Sequence, residues 1–211
     1  MSNRGQVLEG VADYYAQKLA EHGPTPAGVD WNSARSQEIR FSKLLQIIDT
    51  PGPVSINDFG CGYGALAEFL RAAQVDADYH GFDVAPAMVE AARAQSSDPA
   101  DDFTTELEEL PVADYTLASG IFNVRLDVDD EPWLAHVLST LGQMRAVSRE
   151  GLAFNMLTSY SDADRMRPDL YYADPGFILD HCVRSFSRRV AILHDYELYE
   201  FTVLVRLGEA P

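Results

Sequence analysis

Basic residues are scarce: 16 lysines and arginines stand against 33 aspartates and glutamates in 211 residues, a formal net charge of −17. That balance opposes a sequence-independent grip on a polyphosphate backbone, so no nucleic-acid partner is expected. Cysteine is scarcer still. Cys61 and Cys182 lie far apart, in neither metal-ligand spacing nor a disulfide framework, and both read as small buried fillers, so no metal site is expected. No apolar run reaches the length of about 18 residues that a membrane-spanning helix needs. The N-terminal MSNRGQVLEG has neither the charged nor the apolar region of a secretory signal. A soluble, cytoplasmic protein without membrane contact is the expectation. Repeats and low-complexity tracts are also missing, and the length suits one domain, or one domain with a helical extension.

What is there is organised around INDFGCGYGALAEFL, residues 56–70. The apolar run 54–59 ends in a turn with glycine at 60, 62 and 64, followed by Leu66, Phe69, Leu70 and Ala73 at helical spacing. This is strand, tight turn, helix. The glycines let the backbone adopt positive φ and approach a ligand closely, while the first helical amides point outward as donors. Gly60, Gly62 and Ala65 also satisfy the relaxed dinucleotide fingerprint, with the acid Asp83 about 20 residues on. Two features argue for another ligand. Asp58 stands just ahead of the turn, where it would repel a diphosphate and suit a cation, and Gly64 opens the turn further.

The stretch resembles the first motif of the class I S-adenosylmethionine-dependent methyltransferases, an acid followed by G-x-G-x-G. The resemblance continues through three more elements in order. YHGFDV, residues 79–84, reads as a second strand ending in Asp83, which matches the family acid that binds both ribose hydroxyls; Val84 and Met88 follow it. Glu106-Leu107, ahead of Leu110-Pro111, resembles the acid and apolar pair that meet the adenine. DYTLASGIFN, residues 114–123, resembles the fourth strand, with Ser119 and Gly120 at its ligand-facing end. The resemblance thus implies S-adenosylmethionine as cofactor and S-adenosylhomocysteine as product. It implies contacts from Asp58, Gly60, Cys61, Gly62, Gly64, Asp83, Val84, Met88, Glu106, Leu107, Ser119 and Gly120.

Before the glycine turn, helices are expected over about 7–19 and 33–48, joined by a loop over 25–32. Such a prefix often caps the cofactor in this family. Trp31, Arg40 and Tyr14 are the cap candidates, by aromatic contact and by pairing with the methionine carboxylate; each is also explained by ordinary helix packing or a surface position. Beyond the turn, the alternation of strands and helices predicts a three-layer Rossmann-like α/β sandwich. Its seven-stranded sheet is mostly parallel with an antiparallel last strand, residues 1–50 forming a helical cap and 51–211 the cofactor-binding domain. Trp133, Val137, Leu141 and Met144 mark the core face of one helix. Residues 151–158 form a doubly buried strand, and 186–194 and 199–207 form the closing hairpin.

The polar segment 159–173, SYSDADRMRPDLYYA, is long for a connector and is a lid candidate that should close over the cofactor together with the N-terminal helices. Arg165 and Arg167 beside its tyrosines could receive a carboxylate or phosphate, or simply offset neighbouring aspartates. His194 is the general-base candidate because it ends a strand on the ligand side, a hairpin residue bonded to the backbone being an equal reading of it, and Tyr160 is a second catalytic candidate. Asn123 and Arg125 could orient a substrate, as could Asn155, for which structural hydrogen bonding inside a buried strand is the stronger reading. Methyl transfer is what the resemblance implies, and the negative charge with the hydroxyl- and tyrosine-bearing segment points to a small-molecule acceptor, at oxygen more than nitrogen. A non-catalytic cofactor-binding scaffold and a protein side-chain methyltransferase are the rivals. Oligomeric state is not written in the sequence.

Overall fold

The computed structural model describes residues 3–31 and 33–208. Asn32, at the end of the expected 25–32 loop, lies outside them, as do the first two and last three residues of the chain. Helix α1 (Asn3–His22) and α2 (Ala34–Leu44) precede the sheet, with a 3-10 turn (Pro26–Val29) between them. Ser33 caps α2, its hydroxyl accepting from the Ser36 amide, and a further 3-10 turn (Leu45–Ile47) ends it short of the expected residue 48.

The sheet then alternates with helices: β1 (Val54–Phe59), α3 (Ala65–Ala72), β2 (Ala77–Phe82), α4 (Pro86–Gln95), β3 (Asp102–Thr104), β4 (Ala113–Ala118), α5 (Asp130–Ala146), β5 (Ser148–Leu157), α6 (Pro175–Ser185), β6 (Arg189–Leu193) and β7 (Glu200–Arg206). Strand order is β3-β2-β1-β4-β5-β7-β6. Every strand pairing is parallel except those of β7, which is antiparallel to both its neighbours. The expected seven-stranded, mostly parallel sandwich is therefore the fold. β3 is the strand the pattern did not reveal, because three residues are too few to show a period of two. The link from β3 to β4 is also reduced to one 3-10 turn (Leu107–Glu109) in place of a helix.

Two apolar layers flank the sheet. On one face Trp133, Val137, Leu141 and Met144 of α5, all fully buried, pack with Ile178 of α6 and with Leu152, Phe154 and Met156 of β5. On the other, Phe41 and Leu44 of α2 and Leu66 and Leu70 of α3 pack with Ile56, Leu117 and Ala153. Alternate residues of β5 thus serve opposite layers, as the pleat requires. The order reverses at β1 and β4. There the crossovers diverge and leave a crevice beyond the carboxyl ends of the strands.

Candidate active site

The glycine turn sits at that crevice. Gly60, Gly62 and Gly64 have φ of 83°, 54° and 83°, and a methyl group built on Gly60 would come 2.2 Å from Ile121 Cγ2. Both the backbone angle and the close approach therefore need glycine there. The Gly60 and Cys61 amides donate to Phe82 O at 2.7 and 2.9 Å, tying the turn to the end of β2. Asp83 completes the tie: its Oδ2 accepts from the Gly62 amide and its Oδ1 from the Ala85 amide, each at 2.9 Å. Burial pushes the Asp83 carboxyl up, and the two amide donors oppose that shift.

Asp58 lies beneath the turn, 3% exposed, and accepts a 2.7 Å hydrogen bond from Tyr79 Oη. Burial raises its pKa to about 7; the Tyr79 bond works against the shift and the neighbouring charge of Asp83 adds to it.

Two cavities of about 460 and 450 Å3 open at this edge. The first is lined by Gly60, Gly62, Asp83, Val84, Met88, Glu106, Leu107, Ser119, Gly120 and Trp31, which brings ten of the expected contact residues into one wall. Five others are not in it. Asp58 is below the turn, Cys61 packs into the core, Gly64 starts α3, Tyr14 turns away to donate to Asp30 at 2.9 Å, and Arg40 lines the second cavity. In Tyr14's place its neighbour Tyr15 lines both cavities. Ser119 Oγ is buried in the first cavity's wall without a hydrogen-bond partner among the described residues, a polar atom placed to meet a polar ligand.

His136, Thr140 and Gln143 of α5 also line the first cavity, together with Gly5 and Leu8 of α1, whereas the position of His136 beside the apolar stripe reads in sequence as surface or satisfied core. The signal was present as a stripe at i, i+4 and i+7 beside the apolar stripe. Its meaning depends on the missing helix between β3 and β4, which leaves this flank of α5 to the cavity and to α1.

The second cavity draws Arg165, Arg167 and Tyr172 from the 159–173 segment, Arg40 from α2, and Glu197, Tyr199 and Glu200 from the approach to β7. The segment is pinned at this edge: the Arg125 and Leu126 amides donate to Asp169 O, the Tyr171 amide donates to Asn123 O, and Arg167 lies 3.7 Å from Asp30. Trp31, Tyr15, Val29 and Gly120 are common to both cavities. Trp31 occupies the space a side chain at Gly120 would need, since a Cβ added there would fall 2.2 Å from Trp31 Cζ2. Arg40 stacks on the ring, 3.7 Å from its centroid, and is gripped by Glu200 through Nε at 2.8 Å and Nη2 at 2.5 Å.

The expected catalytic pair is elsewhere. His194 is exposed, 6.0 Å in ring-centroid distance from Tyr160, which is 74% exposed, and neither lines either of these two cavities. β7 lies between β5 and β6, so β6 is at the sheet edge with two strands, β5 and β7, between it and β4 at the crevice. Asn155 is structural, accepting from the Gly120 amide at 2.7 Å, and Arg125 holds Val128 O and Leu170 O; Asn123 lines the second cavity. Among the described residues no cluster of histidine, cysteine and acid side chains could hold a metal ion, and no helix is long and apolar enough to cross a membrane.

Comparison with known proteins places this geometry. A family model described as a methyltransferase domain matches residues 57–149. A Mycobacterium tuberculosis protein named as a methyltransferase is 53% identical over 163 residues, 77% of this chain and 98% of that protein. Magnesium protoporphyrin IX methyltransferase from Synechocystis, solved with S-adenosylmethionine bound, superposes with a TM-score of 0.62 at 16% identity, covering 95% and 96% of the two chains. A complex of DhpI with S-adenosylhomocysteine superposes with a TM-score of 0.63 at 14% identity, covering 97% and 98%.

Proposed function

The chain belongs to the S-adenosylmethionine-dependent methyltransferases of the Rossmann-like class, and from that premise we propose that it methylates an oxygen of a small molecule held in the second cavity. The observation that carries the reading is the pair of cavities meeting at Trp31 and Gly120. A volume of about 450 Å3 is in the range of small-molecule sites. Residues 1–50 serve as the cap in this reading, since α1 and Trp31 wall the cavities.

The first cavity fits the cofactor: a glycine cradle that a Cβ would fill, a carboxylate at the end of β2, and the buried, unpartnered Ser119 Oγ. Asp83 would accept from the ribose diol, Glu106 from the adenine amino group, and Asp58 would act through the turn on the methionine ammonium. When bound, the cofactor supplies a methyl group on a sulfonium, a leaving group already activated by its charge. The protein's part is then alignment and exclusion of water, to which Trp31 contributes at the meeting point of the cavities and the 159–173 segment by walling the second. Incubation with methyl-labelled cofactor and a fractionated cell extract should place label in the low-mass fraction. Label confined to protein, or none transferred, would overturn the reading.

A pH dependence follows from Asp58. Its carboxyl titrates at about 7 in the free protein, against about 4 for an unfolded aspartate, so the folded form binds the proton more tightly. Unliganded stability should therefore fall as pH rises from about 4 to 7, because ionisation of the buried group is then forced. An ammonium nearby favours the ionised form, so cofactor binding releases the proton. Calorimetry should show S-adenosylhomocysteine affinity rising from pH 5.5 to 7 and levelling off, with Asp58→Asn flattening the profile. A profile in Asp58→Asn that still rises as in the wild type would remove Asp58 from this role.

A further inference from the structure

Resting on the reading of the second cavity as the acceptor site, we propose that the acceptor is an organic acid and that an oxygen of its carboxylate or phosphate group takes the methyl. The two cavities differ in charge. Among the described residues, the first has Asp83, Glu106 and Glu108 in its wall and neither arginine nor lysine, whereas the second balances Asp30, Glu197 and Glu200 with Arg40, Arg165 and Arg167, on a chain with only 16 basic residues. An acid-lined cavity suits a cationic cofactor, and an arginine-lined one suits an anion.

The arginines retain capacity for such a ligand. Arg40 is 6% exposed, and its Nη1 is buried without a hydrogen-bond partner among the described residues, beside the Trp31 ring that separates the cavities. Arg165 pairs loosely with Asp162 at 4.0 Å, and Arg167 divides itself between Asp169 and Asp30. Both remain more than half exposed at the side chain. An acid group drawn to Arg40 Nη1 therefore sits at the shared wall, where transfer must occur.

The cavity's own carboxylates are engaged. Glu200 accepts twice from Arg40, Glu197 accepts from Arg35 at 2.8 Å, and Asp30 takes Tyr14 Oη and Lys18 Nζ. An alcohol would need one of them as a base, while an acid is already ionised at neutral pH. One of its oxygens is held by Arg40 Nη1 and another remains to react. That oxygen's lone pair forms the new O–C bond as the C–S bond breaks and its electron pair returns to sulfur. No proton moves, and the products are a methyl ester and S-adenosylhomocysteine.

The binding test uses protein loaded with S-adenosylhomocysteine and three probes of similar body, phenylacetate, phenyl phosphate and 2-phenylethanol. Calorimetry should show one or both acids binding more tightly than the alcohol, the better acid identifying the group. The double variant R165Q/R167Q, both sites being exposed, should weaken the acids roughly tenfold or more while changing S-adenosylhomocysteine affinity less than twofold. Equal binding of acids and alcohol, or loss of cofactor affinity instead, overturns the proposal. The product formed from carbon-13-methyl cofactor and extract is the second arm. Methanol released by mild alkali identifies a carboxyl ester, and methyl coupling to phosphorus identifies a phosphate ester. A small-molecule product with neither property overturns this inference and leaves small-molecule methylation standing; a product found only on protein overturns both.

Discussion

Asp83→Ala is expected to weaken S-adenosylhomocysteine binding by two orders of magnitude or more. In the free protein each carboxylate oxygen already accepts one backbone amide, from Gly62 and from Ala85. One lone pair on each oxygen is left, which matches the two hydroxyls of a ribose. A hydrogen bond to a charged group contributes about 1.5–3 kcal/mol, so loss of the pair corresponds to roughly a hundredfold to ten-thousandfold in affinity. Alanine also strands the Gly62 and Ala85 amides, which loosens the turn that places the glycines. Asp83→Asn keeps one carbonyl acceptor and should fall between the two. Calorimetry with circular dichroism on each variant separates lost binding from lost fold. Wild-type affinity in folded Asp83→Ala would show that the ribose is held elsewhere.

The second large effect concerns the Arg40–Glu200 pair, 160 residues apart in sequence and respectively 6% and 1% exposed. Removing one partner leaves a buried charge without compensation, which costs about 3–5 kcal/mol. For a chain of this size each kcal/mol moves the melting temperature by about 2–4 °C, so Arg40→Met and Glu200→Met should each melt roughly 10 °C or more below the wild type. The paired replacement removes both charges and restores an apolar filling, so it should recover most of that loss. Urea unfolding of the four proteins gives the coupling directly. If the double variant loses the sum of the singles, the pair is not the source of the stability. Even a well-folded double variant has lost the cation stacked on Trp31, so impaired acceptor binding should persist after stability returns.

The four elements that contribute to the first cavity were legible because each is a local signal. A strand, its terminal acid and the turn after it fit within about ten residues, so hydrophobic period and glycine placement identify each one without knowledge of its neighbours. Trp133, Val137, Leu141 and Met144 were legible for the same reason: one helix's periodicity fixes its buried face. β3 was too short to carry a period, and the α5 stripe of His136, Thr140 and Gln143 was visible but ambiguous.

The sequence by itself determined the alternation of strands and helices apart from β3, the glycine turn with Asp83 beyond it, and ten of the residues in the first cavity's wall. Tertiary structure decided what meets across the sheet. It set Trp31 against Gly120, closed Arg40 onto Glu200, turned Tyr15 rather than Tyr14 toward the cavities, and left His194 at an outer edge. The physical reason is that period and turn chemistry fix how a segment faces its own layer. Which distant segment lies beside it follows from strand order, and that order is settled by the joint burial of all the faces at once.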